Sequence, residues 1–249
     1  MTKFYILGAI LALTACAGNR ARPADRIPEP ALSEKIQSVS APTDRDKRKE
    51  SPFTADEGLA ALKSGNERYL QNINQENQRS HTERRRELEA VQKPHSIVLS
   101  CSDSRVPPEI VFDQRLGNVF VVRTAGQALD DNVIASIEYA LEHLGSNLIL
   151  VMGHTSCGAV KAGLAALQGH DLGTPALNAL GRDIVPRLQS FKNQSKASEG
   201  AHKEGWANAV GVAKDLMTRS ALIKAKVEKG NVKIHSALYS LVDGKVEFR

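Results

Sequence analysis

Three short apolar runs stand out from a largely polar chain: Ser96-Ile97-Val98-Leu99-Ser100, Val119-Phe120-Val121-Val122 and Leu148-Ile149-Leu150-Val151-Met152. They are continuous rather than alternating, which marks strands covered on both faces. Around them the apolar spacing turns helical. Val133, Ile134, Ile137, Ala140, Leu141 and Leu144 line one face of Asn132–Leu144, which Gly145 stops. An Ala-rich helical stretch starts at Cys157, and helical patterns continue through Ile184–Phe191 and Ala207–Val227. Ahead of the strands, Thr54 with Glu57 forms the pattern of a capping box and opens a helix carrying Leu59, Leu62, Tyr69 and Leu70. A very polar helix is predicted over Thr82–Val91. Val232–Tyr239 and Lys245–Phe248 read as closing strands around an Asp243-Gly244 turn. Strands alternating with helices predict an α/β single domain with a central, mainly parallel β-sheet flanked by helices. The apolar side of the leading helix is either intramolecular core or contact with a second subunit.

The first fifty residues follow other rules. Lys3 precedes the apolar run Phe4–Leu13, which has the length of a signal-peptide core and falls short of the roughly 20 residues that span a bilayer. It ends in Leu13-Thr14-Ala15-Cys16, which resembles a bacterial lipobox, with Cys16 the lipidated residue of the mature chain. Pro23, Pro28, Pro30, Pro42 and Pro52 then punctuate a polar stretch that reads as a spacer. The expected organisation is a signal peptide over 1–15, lipidated Cys16 with a flexible linker over 16–52, and a globular domain over 53–249. A lipid anchor would hold the protein on a membrane in the cell envelope, at the periplasmic face, without spanning it.

Charge narrows the partners. The net charge is only +5, basic residues alternate with acidic ones, and aromatics make up 4% of the chain. A nucleic-acid surface pairs a basic stripe with stacking aromatics or a recognisable helical motif, and neither is present. Arg84-Arg85-Arg86, between Glu83 and Glu87, reads as a solvated helix face.

If Cys16 carries lipid, the remaining cysteines of the three are Cys101 and Cys157. Each follows a predicted buried strand, and His154 stands three residues before Cys157. Functional groups gather at the carboxyl ends of parallel strands where strand order reverses, so the three side chains are expected to meet. Two thiolates and an imidazole suit Zn²⁺, and three protein ligands leave the open position of a catalytic site. A helix beginning at Cys157 would favour its thiolate, and Gly153 and Gly158 would let the backbone pass close to the ion. Asp103, two residues beyond Cys101, could orient a water or occupy the fourth position itself. Arg105 could restrain it in a bidentate pair. A Cys101–Cys157 disulfide, a structural zinc site closed by Asp103, or a plain loop salt bridge are the competing readings. The other histidines lack partners at ligand spacing.

Cys101-Ser102-Asp103-Ser104-Arg105-Val106-Pro107-Pro108-Glu109 and Gly153-His154-Thr155-Ser156-Cys157-Gly158-Ala159-Val160 together resemble the β-class carbonic anhydrases. The likeness extends to Leu62–Tyr69, to Phe120–Gly126, and to the closing Ala237-Leu238-Tyr239 with Gly244-Lys245-Val246. Thr124, Gln127 and Ser236 depart from it, since asparagine, asparagine and glycine are usual there. The resemblance implies one Zn²⁺ per chain on Cys101, His154 and Cys157. Asp103 and Arg105 are implied as the catalytic dyad, with Asp103 a metal ligand only in a closed state. The implied reaction is the reversible hydration of CO₂ to bicarbonate by zinc-bound hydroxide, in a homodimer or homotetramer whose leading helices wrap a partner subunit. Hydrolysis of a CO₂-like molecule such as carbonyl sulfide or carbon disulfide is a close alternative. A non-catalytic zinc-binding or redox-sensing envelope lipoprotein is a more distant one.

Overall fold

The computed structural model describes residues 53–73, 82–194 and 196–249. The leader, the lipobox with Cys16 and the spacer lie outside the described residues. The chain order is α1 (Ala55–Leu70), α2 (Thr82–Glu87), β1 (Ser96–Cys101), α3 (Pro108–Val111), β2 (Val119–Thr124), α4 (Asp131–His143), β3 (Leu148–His154), α5 (Gly158–Leu167), α6 (Pro175–Ile184), α7 (His202–Arg219), α8 (Ala221–Glu228), β4 (Lys233–Tyr239) and β5 (Val246–Phe248). Short 3₁₀ turns fill Ala125–Gln127, Val185–Phe191 and Glu199–Ala201.

The sheet runs β2-β1-β3-β4-β5, parallel throughout except for β5, which returns antiparallel to β4. Every residue of β1 and β3 is buried, as their unbroken apolar runs require. One face is packed by α1, α5 and α6 around Leu62, Val98, Leu150, Val160 and Ile184. The other is packed by α4, α7 and α8 around Leu99, Val151, Ile137, Val212 and Ile223. Beyond β1 the chain builds β2 on one side and β3 on the other. The topological switch therefore falls between β1 and β3, whose carboxyl ends lie side by side with Ser100 opposite Met152.

The leading helix is fastened within its own subunit. Its capping box is complete, with Thr54 Oγ1 accepting the Glu57 N–H and Glu57 accepting the Thr54 N–H at 2.7 Å. Asn66 is fully engaged, donating to the Val111 and Gly244 carbonyls and accepting the Val246 N–H. At Gly65 a Cβ would lie 1.8 Å from the Phe112 carbonyl oxygen, so backbone meets backbone there. Gly65→Ala must push α1 away from this loop. We expect a loss of about 3 kcal/mol or more, at the upper end of overpacking effects, read as a fall in thermal midpoint.

His95 is buried between Ser96 Oγ at 2.7 Å and Gln114 Oε1 at 3.0 Å. Burial holds its imidazole below the ordinary value, opposed by the Gln114 bond. The fold therefore favours the neutral ring. Stability is full above the unfolded pKa of about 6.5 and is lost as pH falls below it, by at most about 1.4 kcal/mol per pH unit for one proton. His95→Asn is expected to flatten the decline of the thermal midpoint between about pH 6.5 and 5, and an unchanged slope would show that other groups govern it.

Three expectations are corrected. The polar helix ends at Glu87, four residues early, because it buries no side chain against the rest of the domain. The pattern over Ala207–Val227 divides into α7 and α8 at Ser220, whose extended backbone ends the first helix and whose hydroxyl accepts the Ile223 N–H to start the second. Helix α6 stood outside the predicted elements, although Thr174 caps it and Pro175 occupies its first turn.

Candidate metal centre

Cys101 and His154 are the last residues of β1 and β3, and Cys157 is the N-cap of α5. Parallel pairing of β1 with β3 places the first two together, and the short Thr155-Ser156 link carries Cys157 back to them. All three side chains are buried, and their ligand atoms lie within 4.8 Å of one another.

The donors are oriented as well as close. His154 Nδ1 lies 2.8 Å from the Thr155 carbonyl oxygen. A carbonyl can only accept, so Nδ1 carries the proton and Nε2 presents its lone pair to the sulfurs. That Nε2 is buried with no hydrogen-bond partner among the described residues. The sulfurs are 4.0 Å apart and both cysteines are free. This is far beyond the ~2.05 Å of a disulfide and close to the ~3.8 Å that separates two thiolates bound tetrahedrally at ~2.3 Å. An orphaned imidazole nitrogen beside two thiols suits a soft or borderline divalent ion. The disulfide alternative is not the arrangement present.

Cys101 is the sulfur that ionises first. The Cys157 thiol donates to it, and the N–H groups of Gly126 (3.3 Å) and Asp103 (3.4 Å) also point at its Sγ. These bonds outweigh burial and hold its pKa well below the ordinary thiol value. Cys157 is pushed up, by its bond to Cys101, by burial and by the neighbouring negative charge. A divalent cation relieves that repulsion by binding both sulfurs as thiolates.

Asp103 stands at the rim. Arg105 grips it in a two-point fork, Nε to Oδ1 at 2.9 Å and Nη2 to Oδ2 at 2.6 Å, and its backbone N–H adds a third bond at 3.0 Å. The guanidinium bonds, against some desolvation, keep the carboxyl far below the usual range. Oδ2 remains 3.9 Å from His154 Nε2, near the donors and outside their cluster.

Several supporting residues had no assigned role in the sequence reading. Arg123 Nε donates to the Cys101 carbonyl at 2.9 Å and Nη2 to the Asp103 carbonyl at 2.7 Å, so it clamps the loop that carries both. Its place in Val121-Val122-Arg123-Thr124 was visible, but its aim was not. Asn208 on α7 donates to the Gly126 carbonyl and to Gln127 Oε1, bracing the turn whose N–H reaches Cys101. Gln127 and Thr124 are therefore part of this turn, with Thr124 Oγ1 closing it on the Ala128 carbonyl at 2.8 Å. Gly153 has a packing reason of its own. A Cβ on Gly153 would crowd the Gly205 carbonyl and Ala209 of α7, so close helix packing is what it serves, whereas a Cβ on Gly158 would meet nothing within 4 Å. A cavity of about 790 Å³ lined by Arg187, Trp206 and Arg249 includes none of the donors.

A mainly parallel sheet with Cys, His and Cys at its switch point defines an α/β protein with a built metal site. Residues 96–246 match the carbonic anhydrase family model. The chain is 37% identical over 189 residues to "Carbonic anhydrase 2" of Mycobacterium tuberculosis, covering 76% of this chain and 90% of that one. It is 42% identical over 195 residues to a carbonic anhydrase of Mycolicibacterium smegmatis, with the same coverage. The solved β-carbonic anhydrase CcaA superposes with a TM-score of 0.62 at 26% identity, over 68% of this chain and 85% of that one. The Coccomyxa β-carbonic anhydrase gives 0.57 at 28% identity, over 65% and 74%. The chain belongs to the carbonic anhydrase family, in its β class.

Proposed function

We propose that this protein catalyses the reversible hydration of CO₂ to bicarbonate and a proton, with one Zn²⁺ held by Cys101, His154 and Cys157. The observation that carries the reading is the convergence of two sulfurs and one unpartnered imidazole nitrogen beside a carboxylate that Arg105 restrains. When bound, the ion supplies the acidity that turns water into a nucleophile near neutral pH. The remaining work falls to side chains. Asp103 Oδ2, 3.9 Å from His154 Nε2, accepts a hydrogen bond from the attacking water and aims its lone pair at the carbon of CO₂. Arg105 keeps Asp103 ionised and prevents it from swinging into the donor cluster, a movement that would give the closed state. Thr155 fixes the tautomer of His154. Carbon–oxygen bond formation yields bicarbonate, and the released proton passes to buffer.

The envelope placement rests on residues 1–52. Lys3, the apolar run and Leu13-Thr14-Ala15-Cys16 support export and lipidation at Cys16, with 53–249 as the catalytic domain held at the periplasmic face. Among the described residues no helix is long and apolar enough to cross a membrane. The sheet edge supports self-association into a homodimer or homotetramer. Among the described residues strand β2 has one neighbour, and all six of its residues, Phe120 and Val122 among them, are half-buried. An open apolar edge of this kind favours a second copy.

Stopped-flow CO₂ hydration with the purified reduced protein tests the reading. Zinc-dependent turnover is expected, and its absence from a fully metallated sample would return the chain to the non-catalytic alternative.

A further inference from the structure

Glu204 lies on the first turn of α7 and is 0% exposed. A carboxylate so placed needs partners to offset lost hydration. Ser198 supplies two of them: Oε1 accepts the Ser198 N–H at 2.9 Å, and Oε2 accepts a short bond from the Ser198 hydroxyl. That hydroxyl in turn accepts the Lys203 N–H at 3.0 Å. Ser198 thereby caps α7 in place of Ala201, which stands at the N-cap position with no side-chain bond to offer. Glu204 thus pins the whole Ser198–Ala201 turn.

This turn and the helix it starts each touch the metal site once. The Gly200 carbonyl accepts the Ser156 N–H at 2.5 Å, between the two ligands His154 and Cys157. Ser156 is held at φ 55°, and Gly200 and Ala201 at 58° and 49°. Left-handed conformations at Ser156 and Ala201 persist only where the surroundings impose them. The second contact is Gly205, the residue after Glu204, where a Cβ would come within 3.3 Å of the His154 carbonyl oxygen. Helix α7 thus rests on one ligand through Gly205 and holds the link to the other through Gly200.

Resting on the zinc reading above, we propose that Glu204 is a positioning residue: through Ser198 and Gly200 it locks Ser156 in its left-handed conformation and so sets the spacing between His154 and Cys157. The spacing of a metal's ligands governs how tightly it is held, and supporting residues typically contribute about 10- to 100-fold in affinity.

The test is zinc release from the full, metallated protein into excess chromogenic chelator, below the thermal midpoint of every variant. Glu204→Ala is expected to release zinc about 10- to 100-fold faster than the wild type and to shift the thiolate-to-metal charge-transfer bands of the cobalt(II)-loaded protein. Glu204→Gln keeps an acceptor for the Ser198 N–H and should lie closer to the wild type. Ser198→Ala should accelerate release in the same direction by less. Asn66→Ala, which breaks bonds to Val111, Gly244 and Val246 and none to the Ser198–Ala201 turn, should lower the thermal midpoint and leave the release rate unchanged. A folded Glu204→Ala protein with wild-type release and wild-type bands overturns the proposal. If that variant does not fold, wild-type release from Ser198→Ala overturns it. A wild-type protein that takes up no metal would refute the zinc reading instead.

Discussion

Replacement of Cys157 by alanine is expected to remove stoichiometric zinc and to lower CO₂ hydration on the order of a thousandfold or more, because the ion's acidification of water is lost with it. Cys101 and His154 would remain in place, since β1 and β3 hold them independently of α5. Two donors without the third leave the ion with half of a tetrahedral shell. The fold should survive, because Cys157 contributes a small side chain to a core dominated by larger apolar neighbours. The measurements are metal content by plasma emission and stopped-flow hydration on the same sample, with circular dichroism to verify folding. Wild-type turnover in a zinc-free Cys157→Ala protein would contradict this account.

Asp103→Ala is expected to divide the two properties that Cys157→Ala removes together. Zinc should stay bound, since Asp103 lies outside the donor cluster. The turnover number should fall by about 10²- to 10⁴-fold, the range for a positioned group that handles a proton or its hydrogen bond. Arg105→Lys should cost less, but more than a conserved charge would suggest, because an ammonium cannot reproduce the two-point fork. Arg105 keeps the Asp103 pKa far below the usual carboxylate range. Asp103 therefore stays ionised throughout the working range and should add no limb to the rate profile above about pH 4. Loss of zinc in Asp103→Ala would instead identify Asp103 as a standing ligand, which is the closed structural alternative.

The parts of this protein that are legible in its sequence are those governed by pattern. Ile97-Val98-Leu99 and Ile149-Leu150-Val151 are continuous apolar runs because both faces of their strands are covered. Their ends mark where a parallel sheet displays its chemistry, so Cys101 and His154 could be placed together from about fifty residues apart. The capping box at Thr54 and Glu57 was equally readable, since it is a local bond. Helix α6 and the break at Ser220 carried signals of the same kind in Thr174-Pro175 and in Ser220 itself, but short helices give the apolar period little room to show.

Roles that depend on tertiary reach were not legible. Arg123 finds the Cys101 and Asp103 carbonyls across the sheet. Asn208 braces Gly126 over eighty-two positions of chain. Glu204 acts through a carbonyl forty-four residues after the amide it holds, between Ser156 and Gly200. Gly153 looked like an accommodation to the ion and turns out to serve the close approach of α7. Each of these supports a ligand without being one, and nothing in local spacing distinguishes such a residue from an ordinary core or surface position.

The most direct test of the central claim is X-ray absorption at the zinc edge on reduced, zinc-loaded protein. One ion per chain is predicted, with two sulfur scatterers at ~2.3 Å and two nitrogen or oxygen scatterers at ~2.0–2.1 Å. Absence of bound zinc, or a shell that contains no sulfur, would contradict it.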